Sequence, residues 1–335
     1  MILLPVDPFE DATWADPLGP TRREQAARRM SHQCWIGIDD AEPWVSREVD
    51  RECLEMAYMF LALISPVTAP GRDRDAIVVY GALSAVFDTC ATKRRRFTEE
   101  ELLAKKYRGR PVGEWADRVC TGLDEWTANT LQRRFHHQIA QLSENRLESG
   151  IGPSEQRNER NRTDYRSYLR WREREGWYYG GLLACAVATG VDLRDVPPHW
   201  IEETLEASVL AFDIHGSLRH ACEKEIGHTL NYLPGTQHEK VTTSLVAYTE
   251  ILFRLQGADD IKPRDKEYLT RFVMGIVAGA YSCRRYAKTT PLHIARPEDV
   301  AVAWSHVDNT PDYRFSYAQV TAEGAPKPGR ARPHS

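Results

Sequence analysis

Apolar residues recur at three- and four-residue intervals along most of the chain. That spacing predicts helices over 21–31, 49–65, 74–93, 114–143, 162–189, 200–226, 240–256 and 264–288. These segments are rich in Ala, Leu, Glu and Arg, which are strong helix formers. Alternating β-branched runs bounded by turns are nearly absent, so strand is not expected. Breakers separate the helical stretches at Pro66 to Gly71, Gly109 to Pro111, Gly150 to Pro153, Pro197–Pro198, Pro234–Gly235 and Pro263. Connections this short join antiparallel neighbours. The expected fold is therefore an all-α antiparallel helical bundle whose interior can house a site. No repeat and no shift of composition divides the chain before residue 290. The expectation is one helical domain over 1–290 and a C-terminal extension over 291–335, partly disordered. Its end, EGAPKPGRARPHS, is rich in Pro, Gly and Arg.

Composition narrows the function classes. The 335 residues hold 44 basic and 48 acidic side chains, a net charge of −4, which argues against a general polyanion binder. Two basic runs, Lys93–Arg96 with its neighbours and the arginines of 157–174, have acidic residues interleaved. They read as solvated helix faces, with no nucleic-acid partner expected. Cys34, Cys53, Cys90, Cys120, Cys185, Cys222 and Cys283 are odd in number, scattered and without a CxxC pair. That suits a reducing, cytoplasmic setting. The opening MILLPVDPFEDATW turns acidic after three apolar residues, unlike a signal peptide, and no stretch approaches the ~20 apolar residues of a membrane span.

Three places carry candidate chemistry. An apolar helix, DAIVVYGALSAVF, leads into Asp88. A carboxylate there either binds a cation or sits solvated or paired with Arg94–Arg96. In LEASVLAFDIHGSLRHACEKEIGHTLNYL, one helix face would carry Asp213, Ser217 and Glu225, and another would carry His215, Arg219 and Glu223. Oxygen ligands so aligned could hold Mg²⁺; an ordinary amphipathic helix explains them equally. YLRWREREG and GIVAGAYSCRRY each bring arginine beside aromatics, at Arg172 and at Arg284–Arg285. If they converge, forked guanidinium donors would clamp a diphosphate; otherwise they are cations at helix C-termini.

In this order the segments resemble the microbial class I terpene synthases over about residues 5–290. The resemblance is carried by the Pro- and Trp-containing opening, Phe87–Asp88, Tyr168-Leu169-Arg170-Trp171-Arg172 followed by Glu175–Gly176, the 213–231 segment, and Gly275 with Arg285–Tyr286. It implies the all-α terpene synthase fold with a central apolar cavity. The implied catalytic residues are Arg172, Gly176, Arg285 and Tyr286. The implied substrate-contacting residues are Phe60, Phe87, Trp177, Tyr178, Arg219, Lys224 and Tyr281. The implied Mg²⁺ ligands are drawn from Asp88, Asp213, Ser217, Glu223 and Glu225. Two features depart from the family pattern. Asp88 is the single aspartate kept of the aspartate-rich motif. In the second motif no register is complete: aligning Gly227 and Asn231 puts His215 and Arg219 where the family has Asn and Ser.

The function implied is cyclisation of a linear isoprenyl diphosphate, farnesyl or geranylgeranyl. Ionisation gives a carbocation held by aromatic faces, and the metal site is atypical. The alternatives are an enzyme on this fold that does not use three-metal ionisation, or an inactive relative that binds a prenyl ligand. A homodimer is compatible with either. A di-iron bundle finds one ExxH element, Glu225 to His228, and lacks the second. A helical interaction protein without chemistry predicts no enclosed cavity.

Overall fold

A computed structural model describes residues 44–45, 47–65, 68–92, 98–147, 165–216 and 228–282. Among them lie ten α-helices: α1 (Arg47–Ile64), α2 (Arg74–Thr92), α3 (Glu99–Ala104), α4 (Val112–Cys120), α5 (Glu125–Leu147), α6 (Tyr165–Glu175), α7 (Tyr178–Thr189), α8 (Pro198–His215), α9 (Gln237–Gly257) and α10 (Pro263–Ser282). The expected all-α character holds for the described residues. The helix expected over 21–31 and the extension over 291–335 lie outside them.

Three expected boundaries differ. The 114–143 segment is two helices, because Gly122 takes a left-handed φ of +70° between them. The 162–189 segment is also two helices, broken at Gly176–Trp177. The 200–226 segment is helical only as far as His215 in the described part. A short hairpin, β1 (Lys106–Tyr107) paired antiparallel with β2 (Arg110–Pro111), was not expected. Its two turn residues, Arg108 and Gly109, have φ of +50° and +77°, the positive pair that a tight two-residue hairpin requires. The hairpin is fastened by indole N–H groups. Trp44 Nε1 donates to the Lys106 carbonyl at 2.7 Å and Trp115 Nε1 to the Tyr107 carbonyl at 2.8 Å.

The sequence of α7, YYGGLLACAVAT, is apolar on every side, and a helix of that kind must be surrounded. It lies against α2, α5, α6 and α8, while α8 packs on α9 and α10, α10 on α1, and α1 on α2. One apolar cluster runs through all of these from Trp44 to Val277. Where α10 crosses α1, Gly275 and Gly279 let the backbones approach. A Cβ on Gly275 would lie 2.6 Å from Ile64 Cγ1, and one on Gly279 would strike the Phe60 ring. Gly275→Ala should therefore lower the urea midpoint. Overpacking costs about 1–3 kcal/mol and exceeds the helix-propensity gain of about 1 kcal/mol. A midpoint that rises would show that the two helices do not meet at this glycine.

Among the described residues no helix is long and apolar enough to cross a membrane. Cys53, Cys120 and Cys185 are free thiols. Burial pushes Cys120 up to about 11 and Cys185 up to about 12, so both are inert at neutral pH.

Candidate functional site

The site is built from the C-terminal half of α6. Tyr165, Tyr168 and Arg172 recur at helical spacing with Trp171 beside them, which turns an otherwise charged helix inward along one stripe. The helix then breaks. The Gly176 N–H donates to the Arg172 carbonyl at 2.8 Å, Trp177 adopts a left-handed φ of +57°, and α7 starts at once. Two glycines make this possible. A Cβ on Gly176 would press on the Tyr178 ring and lie 3.1 Å from the Arg172 carbonyl oxygen, and one on Gly180 would overlap the Trp177 indole. The break is fastened from outside. Glu173 Oε1 accepts from the Tyr179 N–H at 3.2 Å, placing a carboxylate at the positive end of α7. Arg134 of α5 lies 3.7 Å from that carboxylate and stacks over the Tyr179 ring at 4.3 Å. Burial raises the Glu173 carboxyl above its usual range, with Arg134 opposing.

Arg172 is 4% exposed and Asp213, on the last turn of α8, is 0% exposed, and they form an ion pair. Arg172 Nε and Nη2 donate to Asp213 Oδ1 at 3.3 and 3.1 Å. Arg172 Nη1 donates to Glu175 Oε2 at 2.7 Å. The other oxygen of Asp213, Oδ2, accepts from the Tyr168 hydroxyl at 2.5 Å, the Thr229 N–H at 2.9 Å and the Thr229 hydroxyl at 2.6 Å. His228 closes the arrangement from the same turn. Its Nδ1 accepts from the Leu230 N–H at 3.2 Å, so the ring proton sits on Nε2, which donates to the Asp213 carbonyl at 2.7 Å. Burial drives His228 down to about 4, with the Arg172 cation adding to it and Asp213 opposing. His215 meets the Tyr248 hydroxyl of α9 at 2.8 Å, and burial drives it down to about 3. Both imidazoles are neutral at pH 7.

The sequence-derived candidates divide as follows. The structure brings together Arg172, Gly176, Tyr178 and Asp213. The Phe212 ring lies over the Arg172 guanidinium at 5.7 Å and meets Tyr178 edge-on at 6.1 Å. Phe87 is wholly enclosed between Trp44 and Phe135 and meets no water-sized space in this conformation. Trp177 packs at 4.4 Å on Tyr80. Phe60 is half-buried where α1 crosses α10, against Gly279. Asp88 falls within α2, which continues to Thr92, so the helix does not end at it. Its side chain, and that of Tyr281 in α10, lie outside the described residues. So do Ser217, Arg219, Glu223, Lys224, Glu225, Arg285 and Tyr286.

The Mg²⁺ implied by the resemblance finds no fit in the described donors. Both Asp213 oxygens are engaged by protein donors, and among the described residues no three His, Cys, Asp or Glu side chains are grouped as metal ligands would be. Reading the sequence missed Tyr168, Thr229 and His228 as members of the site, and Glu173 with Arg134 as its outer clasp. Tyr168 had a local signal, since it stands one turn before Arg172 on the same face. No known family model matches the chain, and no curated protein matches it in sequence.

Proposed function

We propose that this protein is a cyclase of linear isoprenyl diphosphates, farnesyl or geranylgeranyl, with an atypical metal site. The observation that carries the reading is Arg172. It is a guanidinium enclosed at a helix break, held by carboxylates and set over Phe212, whose ring meets Tyr178 edge-on. A diphosphate arriving at Arg172 takes the place of Glu175. Glu175 lies on the same helix and is 15% exposed, whereas Asp213 has no outlet. The guanidinium then stabilises the charge that gathers on the leaving diphosphate. The aromatic faces nearby suit a carbocation and keep water from it.

The saturated carboxylate of Asp213 favours one variant, an enzyme on this scaffold that does not ionise its substrate through three metals. Incubation with geranyl, farnesyl and geranylgeranyl diphosphate, with Mg²⁺ or with EDTA, separates the two. Cyclic extractable products and released pyrophosphate are expected from the C15 or C20 substrate. Full turnover in EDTA selects the variant. Absence of both product and binding of an unreactive thiolodiphosphate analogue rejects the cyclase reading.

A further inference from the structure

We propose that Asp213 is a positioning residue that fixes the guanidinium of Arg172 for an anionic ligand, and is not a metal ligand. The proposal rests on the reading that Arg172 grips a diphosphate. Asp213 Oδ1 takes the Nε–Nη2 edge of Arg172, which leaves the Nη1 edge turned to the less enclosed Glu175. Asp213 Oδ2 is fixed by Tyr168, one turn before Arg172 on α6, and by both donors of Thr229. Two separate pieces of chain, α6 and the 228–231 turn, therefore converge on one carboxylate that α8 carries. His228 ties the backbone of that turn to the same residue. A divalent ion at Asp213 would displace these donors. It would also stand within a few ångströms of a guanidinium, where like charges in a buried setting repel strongly. An ordered guanidinium loses little freedom on meeting a phosphate, which is what a positioning carboxylate contributes.

The test uses the full chain with ¹⁵N-labelled arginine. Arg172 Nε–H should give a slowly exchanging resonance that is absent in Arg172→Lys and lost in Asp213→Asn, whose amide cannot accept at both faces. Inorganic pyrophosphate, titrated calorimetrically with Mg²⁺ present, should bind Asp213→Asn about tenfold more weakly. The Arg172→Lys/Asp213→Asn double variant should bind no more weakly than Arg172→Lys alone. Mn²⁺ titrated without pyrophosphate should bind wild type and Asp213→Asn alike. A resonance that persists in Asp213→Asn overturns the proposal, as does a tenfold loss of Mn²⁺ affinity. A resonance that depends on Asp213 in a protein that binds no pyrophosphate upholds the hold on Arg172 and removes the diphosphate reading. Should Asp213→Asn fail to fold, Tyr168→Phe and Thr229→Val each remove donors from Oδ2. Each should weaken pyrophosphate binding about threefold and speed exchange of the same resonance; no change in either variant overturns the proposal.

Discussion

Arg172→Met is expected to lower the unfolding free energy by about 3–5 kcal/mol, the range for removing one member of a buried ion pair. The loss arises from what remains. Asp213, with no exposure, and Glu175, largely enclosed, lose the guanidinium that lies between them. Arg172→Lys should lose less, because the charge stays while the fork is lost; a single ammonium cannot serve Asp213 along one edge and Glu175 along another. The double variant Arg172→Met/Asp213→Asn should recover part of the loss, since a neutral amide replaces the buried carboxylate. A cycle over the four proteins should give a coupling of about 1–3 kcal/mol. Urea unfolding at pH 7, followed by tryptophan fluorescence and far-ultraviolet circular dichroism, measures all four. An Arg172→Met protein as stable as wild type to within about 0.5 kcal/mol would mean that the pair is not formed in solution. The measurement bears on function because the edge of Arg172 turned to Glu175 is the one that the proposed diphosphate would take.

The bundle was legible in the sequence because helical periodicity is a local property. The 49–65, 74–93 and 240–256 predictions fall within a few residues of α1, α2 and α9. What was not legible depends on groups distant in sequence or on single backbone angles. The break at Trp177 is a tryptophan in a left-handed conformation, which no propensity favours. It exists because Gly176 and Gly180 leave room for the aromatic rings beside them and because Glu173 caps the next helix. The hairpin at Arg108–Gly109 carried a turn signal, but flanking strands of two residues each are too short to show alternation. The site was half legible. Its arginine and Gly176 stood in a recognisable run. The partner of that arginine lies 41 positions away, and sequence spacing had assigned it to a different set of neighbours. A carboxylate spaced like a metal ligand and a carboxylate that orients an arginine look alike until the donors around it are placed.

Acidification should destabilise the protein steeply between pH 6.5 and about 4, and two histidines account for much of it. His215 and His228 are held at about 3 and about 4 by burial, against about 6.5 in an unfolded chain. Over that interval the unfolded state binds protons that the folded state refuses. Stability therefore rises with pH and is lost as pH falls. By pH 4 each histidine costs roughly 3 kcal/mol relative to pH 7. The geometry explains the refusal at His228. Its Nδ1 accepts the Leu230 N–H, so a second ring proton would set N–H against N–H at a buried position. Glu173 and Glu206, raised by burial, work in the opposite sense, because the folded state takes up their protons first. For that reason the test is a difference between variants. His215→Phe loses the bond to Tyr248 and starts less stable at pH 7, yet should lose roughly 3 kcal/mol less than wild type between pH 7 and pH 4. His228→Gln should behave likewise, and the two reductions should add, because separate hydrogen-bond partners hold the two rings. Urea midpoints at half-unit steps of pH give the slopes. Curves for wild type and both variants that run parallel would place the acid sensitivity in the carboxylates and leave these two imidazoles free to titrate.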